Sequence, residues 1–342
     1  MELLPVLEPH DTPTEGIWYS LIPRGSAPGV SVGHTCTYCS SGNGEKGKIF
    51  IVGGANPSGS FSYTCTINLD NYEWDNQEWN GLDARYEHCS FVPESHPHSL
   101  WLFGGAKQSG NLQCIQNIQL KESEPSWKTV SVNGEPPSAR TYHTNSACLG
   151  NRLFVFSGGE SGTMPVSDSQ LYIFDTVSLT WSQPETRGTA PPARHGHIIL
   201  AVGSRIFIHG GMAGEKVFND MFALDTESMT WEKMDTKGDI PPAVAAHSAV
   251  VLDRHIYVFG GLTTDGACNF MHRFNTDNNL WTKIKFEGDL PPNRLDHSMC
   301  LFPWKVSEDG QQDIKTIYLA FAFGGMDTQG VIHNDCIATV VT

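Results

Sequence analysis

The sequence predicts an all-β protein, a six-bladed β-propeller whose ring is closed by its own amino-terminal strand. Three observations carry that expectation. Apolar runs ending in Gly-Gly recur at Gly53-Gly54, Gly104-Gly105, Gly158-Gly159, Gly210-Gly211, Gly260-Gly261 and Gly324-Gly325, with first-glycine spacings of 51, 54, 52, 50 and 64. A period near 50 residues marks a repeat built as one four-stranded blade. A Trp then recurs with Gly seven positions on and Pro ten or eleven positions on, as at Trp18, Trp127, Trp181, Trp231 and Trp281. Finally, the two ends are complementary. Trp18 begins a last strand with no earlier strands before it, and Cys336–Thr342 is a strand with no Trp after it. Joining them completes the sixth blade and removes two open sheet edges.

In chain order, residues 1–17 read as an irregular lead, with three prolines, and 18–342 as a single propeller domain. Within a repeat, strand a runs from Arg194 to Ala201, strand b from Arg205 to His209, strand c ends near Asp225 and strand d holds Trp231. The a–b links (Leu149–Arg152, Val202–Arg205, Leu252–His255) and the c–d links (Asp175–Trp181) are tight turns. The b–c links differ from repeat to repeat, as in Glu160–Asp168 and Ala106–Leu112. In an up-and-down meander the b–c and d–a links share one face, so that face is expected to carry binding. A polar insertion, Lys305–Lys315, stretches the last repeat and is expected to be a solvated a–b loop.

Composition narrows the function classes. Apolar residues make up 39% of the 342 residues, and no run approaches the length of a membrane span. The amino terminus lacks the basic and apolar segments of a signal peptide. Nine cysteines are too few for a disulfide scaffold in a chain this long, which points to the cytoplasm. A net charge of −15 disfavours nucleic acid and anionic membrane surfaces. Membrane association is therefore expected only through a protein partner, for a chain expected to be monomeric.

Motifs that resemble chemistry mostly have simpler explanations. Gly42–Lys48 matches a phosphate-loop pattern up to its lysine, but a strand follows it where a phosphate site needs a helix. Cys36-Thr-Tyr-Cys39 has no second ligand pair for zinc, and in a strand its sulfurs face opposite ways. The Trp series at a fixed offset is expected to pack between neighbouring sheets. His34, His88, His143, His197, His247 and His297 share one position of strand a, and a repeated blade-to-blade hydrogen bond is expected of them. Three residues earlier stands Arg in four repeats (Arg85, Arg140, Arg194, Arg294), with Ser31 and Val244 in the other two. These arginines either pin the d–a links through carbonyls or present a partial guanidinium ring to an acidic ligand. Together with Lys107, Glu160 and Asp168 they are the candidate partner-binding residues. No catalytic residue, metal ligand or cofactor is expected.

The Arg-x-x-His, Gly-Gly and Trp repeats resemble the kelch family over residues 18–342. Ile49–Pro57, Arg85–His88, Arg194–His197, Leu290–Cys300 with Pro303-Trp304, and Asp335–Val341 resemble more narrowly the kelch-motif effectors of late-endosomal Rab GTPases. That resemblance implies a non-enzymatic protein that binds a GTP-bound Rab GTPase of the Rab-nine type. It also implies recruitment to endosomal membranes by that partner and a part in endosome to trans-Golgi network transport. Other kelch classes fit less well. Ubiquitin-ligase adaptors carry a BTB domain for which the 17 residues before Trp18 leave no room. The copper site of galactose-oxidase-like proteins cannot be assembled here. The iron-associated Glu-x-x-x-Asp-x-x-x-His spacing of nitrile-specifier proteins does not occur. A substrate-recognition or scaffold role for another partner remains the first alternative, and a metal-dependent kelch enzyme the second.

Overall fold

A computed structural model describes residues 3–42, 44–142, 145–307 and 314–342. Asn43 of the glycine-rich turn, His143 of the histidine series and 308–313 of the insertion lie outside them. Among the described residues every regular element is a strand, and six four-stranded antiparallel meanders form a ring, two of them extended by a short parallel strand, Arg187–Gly188 and Lys237–Gly238. Blade 1 comprises Thr35–Cys39, Lys48–Val52, Thr64–Asn68 and Glu73–Gln77, as strands a to d from the axis outward. Blade 2 comprises Cys89–Phe91, Ser99–Phe103, Ile115–Gln119 and Lys128–Thr129; blade 3 Ala147–Leu149, Arg152–Phe156, Leu171–Asp175 and Thr180–Ser182. Blade 4 comprises Ile198–Val202, Arg205–His209, Met221–Asp225 and Thr230–Lys233; blade 5 Ser248–Leu252, His255–Phe259, Met271–Asn275 and Leu280–Lys283. Blade 6 takes Ser298–Ser307, Ile314–Phe323 and Cys336–Val341 from the end of the chain and Trp18–Leu21 from its beginning. Trp18 pairs with Thr339 and Leu21 with Cys336, so the ring closes as the complementary ends require.

The repeated residues have a common physical basis. Each Trp ring packs against the last strand-b residue of the preceding blade, as Trp181 does on Phe103, Trp231 on Phe156, Trp18 on Phe259 and Trp74 on Phe323. The Gly seven positions after Trp74, Trp127, Trp181 and Trp231 lies against the Trp carbonyl of the next blade, whereas Gly288, seven after Trp281, has nothing within 4 Å of a Cβ. A Cβ on Gly134, Gly188 or Gly238 would stand 2.2 to 2.3 Å from the carbonyl oxygen of Trp181, Trp231 or Trp281. Only a residue without a side chain fits there. The same crowding explains Gly-Gly, because the second amide donates to a carbonyl in the following d–a link: Gly54 to Arg85, Gly105 to Arg140, Gly211 to Val244 and Gly261 to Arg294.

Blade 3 departs from the spacing read in the sequence. There the amide donating to Arg194 belongs to Gly158, so Ser157 and Gly158 occupy the places that Gly-Gly fills elsewhere. Ser157 sits at φ 58°, and its hydroxyl accepts from the Arg194 amide and donates to the Arg194 carbonyl. Gly159 belongs to the following hairpin, where a bulge absorbs the shift. The first-position spacings either side of Ser157 are therefore equal.

The faces also differ from the expected contrast. The a–b turns are tight in blades 3 to 5, but 40–47 and 92–98 are longer links in blades 1 and 2. The insertion is partly strand: Lys305, Val306 and Ser307 pair with Thr316, Lys315 and Ile314, because Trp304 and Val306 alternate inward and are buried. The lead packs on this blade. Leu7 is buried, Ser20 donates to the Pro5 carbonyl, and the Trp304 indole donates to the Asp11 carbonyl. Strand a of all six blades lines a central channel of about 350 Å³, with Thr37, Ser90 and Ser146 on one side and Ala201, Val251 and Leu301 on the other.

Candidate interaction face

Five of the six b–c links form a miniature hairpin on one face: Ala55–Ser60, Ala106–Asn111, Gly159–Pro165, Met212–Val217 and Leu262–Ala267. The blade 6 link carries bridges from Met326 to Leu295 and Ile332 instead. These hairpins stand beside the d–a links, so the loop-rich face is well braced.

The four arginines supply much of that bracing. All four side chains are fully buried. Each Nε donates to the carbonyl two residues earlier, and each Nη1 donates to the carbonyl of the residue filling the first Gly position: Gly104, Ser157, Gly210 or Gly324. The remaining donors meet a carboxylate of strand c's lead-in, Arg140 with Asp168 at 3.0 Å, Arg194 with Asp220 at 2.5 Å and Arg294 with Asp335 at 2.8 Å. Arg85 instead meets Gln116 at 2.5 Å. Burial alone would raise the Asp335 carboxyl, but the hydrogen bonds and charge of Arg294 outweigh it and hold it below the usual carboxylate range. The four guanidinium groups are therefore internal in this conformation and face no open surface.

The carbonyl pins were among the roles expected of these arginines, but their acidic partners, legible as a pattern, were not. Asp220 stands ten residues after Gly210. Where Arg is replaced by Ser31 and Val244, the corresponding residue is Tyr63 and Phe270 respectively. In those two blades both partners are missing, so neither charge is buried alone, whereas in blade 2 Arg85 is kept and Gln116 takes the place of the carboxylate.

The histidines bond from blade to blade. His34 meets Ser298 at 2.6 Å, His88 meets Thr35 at 3.0 Å and His247 meets His209 at 3.1 Å. His197 and His297 donate to the Phe156 and Phe259 carbonyls. Burial lowers the His34 pKa to about 4 and that of His209 to about 3, keeping the rings neutral. Just outside this ring, backbone bonds run round the channel mouth from Asp296 to Ala246, Gly33 to Asp296 and Glu87 to Gly33. The donors adopt φ near 50–70°, a left-handed conformation fixed by those contacts.

The other candidates fall apart from one another. Lys107 is half-buried in the blade 2 hairpin and Glu160 is exposed in that of blade 3; Asn111 links the two hairpins through the Glu160 carbonyl. Asp168 is tied to Arg140. Cys36 and Cys39 belong to different core clusters, and burial pushes both thiols up to about 12. Among the described residues no three His, Cys, Asp or Glu side chains converge as metal ligands, and no helix is long and apolar enough to cross a membrane.

Residues 33–261 match the KLHDC2/KLHL20/DRC7 Kelch-repeats domain, and residues 243–285 match the Kelch motif. The chain belongs to the kelch-repeat family. Among kelch proteins it is similar over its full length to those named Rab9 effector protein with kelch motifs. Identity is 64% to the Danio rerio protein, 57% to the Xenopus laevis protein and 54% to the Homo sapiens protein, each alignment covering 100% of both chains. A kelch propeller with such relatives is a protein-interaction module.

Proposed function

We propose that this chain is an effector of a late-endosomal Rab GTPase of the Rab9 kind, binding its GTP-loaded form through the loop-rich face. The observation that carries this reading is the 64% identity over all of both chains to a protein named as a Rab9 effector. The braced b–c hairpins support the choice of face, because rigid scaffolds present binding loops with little ordering cost. Lys107 and Glu160 lie on that face, in the hairpins of blades 2 and 3. The protein works as a non-catalytic module of the cytoplasm, drawn to endosomal membranes by its partner in transport to the trans-Golgi network. Residues 18–342 act as one domain, with 1–17 as its lead.

A pull-down with the purified chain tests this, offering a panel of Rab GTPases loaded with a GTP analogue or GDP. Selective capture of Rab9 in its GTP form is expected. Equal capture of both forms would leave a scaffold, and capture of no Rab would overturn the reading. Metal analysis separates the enzyme alternative: stoichiometric copper or iron would contradict a non-catalytic module.

A further inference from the structure

Blade 5 breaks the repeat at the loop-rich face in three linked ways. Its Arg is Val244, so no carboxylate is needed ten residues after Gly260, and Phe270 stands there instead, 39% exposed. The d–a links on either side carry Gly-Asp-Ile-Pro-Pro and Gly-Asp-Leu-Pro-Pro, presenting Ile240 at 46% and Leu290 at 45% exposure. The corresponding position in the links before blades 4 and 1 is Ala190 and Ala27.

Contacts of neighbouring residues tie the segments that carry these three side chains to one another. The Lys283 amide donates to the Asp239 carboxylate at 3.0 Å, and its ammonium lies 4.3 Å from the Phe270 ring centroid. The Asn269 side chain donates to the Pro291 carbonyl at 3.0 Å, next to Leu290. Asp239, Asp265 and Asp289 are exposed around this apolar centre. By contrast, blades 2 to 4 offer on that face, among the described residues, only Met164 as an exposed large apolar side chain. An aromatic and two aliphatic side chains inside a charged rim have the composition of an interface centre.

We propose that the Ile240–Phe270–Leu290 cluster is where the partner GTPase docks, with Phe270 as the central anchor. This deepens the effector reading and rests on it. The rim carries Asp239, Asp265 and Asp289 against Lys283, a net negative edge on a chain of net charge −15, and so favours a partner surface that is apolar at its centre and mainly basic around it. Lys107 and Glu160 then lie at the periphery, where single charges contribute little.

Titration calorimetry of the full chain with GTP-analogue-loaded Rab9 is the test. Ile240→Ser and Phe270→Ser are each expected to weaken binding by about thirtyfold or more, as hot-spot truncations do. Lys107→Glu and Glu160→Lys are expected to change it by about threefold or less, as rim charges do. Wild-type affinity should also fall as salt is raised. Both side chains lie at the surface, so melting temperatures should fall by no more than about 2 °C, and circular dichroism melts check the fold of each variant. Wild-type binding that survives the Ile240 and Phe270 changes would overturn this docking site and leave the effector reading intact. Absence of wild-type binding would remove both.

Discussion

Replacing Arg194 by Ala separates a brace from a ligand-binding guanidinium. The substitution removes the donors to the Pro192 and Gly210 carbonyls and leaves Asp220, whose side chain is 17% exposed, without its cation. Breaking one side of a buried pair costs about 3–5 kcal/mol, and the residual exposure of Asp220 argues for the lower end, about 3 kcal/mol. Unfolding entropy of about 2.1 cal/mol/K per residue gives roughly 0.7 kcal/mol/K for a chain of this size, so the melting temperature should drop by about 4 °C. Arg254, 68% exposed in its ion pair with Asp277, is the control. Its replacement by Ala should shift melting by less than about 1 °C, as surface pairs do. The paired change Arg194→Met with Asp220→Leu should recover part of the loss, since it removes the stranded carboxylate but not the two orphaned carbonyls. Differential scanning calorimetry reads all three. Unchanged melting of Arg194→Ala together with lost partner binding would refute the brace.

Three further outcomes follow from the same structure. Gly188→Ala should destabilise severely, because a Cβ there lies 2.2 Å from the Trp231 carbonyl oxygen, whereas Gly214→Ala, at similar φ but in open space, should cost only about 1–2 kcal/mol by urea denaturation. Stability should be flat between about pH 7 and 8, and fall between about pH 6.5 and 4. Burial lowers the His34 pKa from 6.5 to about 4, so the unfolded chain takes up protons that the folded chain refuses, a loss of about 3 kcal/mol for this group, read from the urea midpoint against pH. Deleting residues 1–21 should expose the Cys336–Val341 strand, with its buried Ile337 and Val341, and yield aggregating protein; a soluble monomer by light scattering would contradict closure by the amino-terminal strand.

Much of the fold was legible because each repeated residue serves an inter-blade contact that geometry forces to recur. Trp fills the gap beside the preceding sheet, and Gly yields to a neighbouring carbonyl. Closure was legible because the strand at Trp18 carries the Trp that Cys336–Val341 lacks, and the two strands pair. Blade 3 misled because Ser157 replaces a glycine where its hydroxyl is useful, while the chance Gly159 restored the look of a pair. The strands inside Lys305–Lys315 were hidden because only Val306 in that flank faces inward, too little for a two-residue period. The candidate face was less legible. Its arginines could be read as pins or as a ring because their carboxylate partners lie far along the chain; Asp335, the partner of Arg294, is 41 positions away. Phe270 carries no motif, and its meaning comes only from comparison with the Asp that holds its place in other blades.

The central claim is a nucleotide-dependent partnership, and titration of the purified full-length chain with Rab9 in its two nucleotide states tests it most directly. Saturable one-to-one binding to the GTP-analogue form, with affinity for the GDP form lower by about tenfold or more, is the expected result. Equal affinities, or no heat of binding with either form, would contradict it.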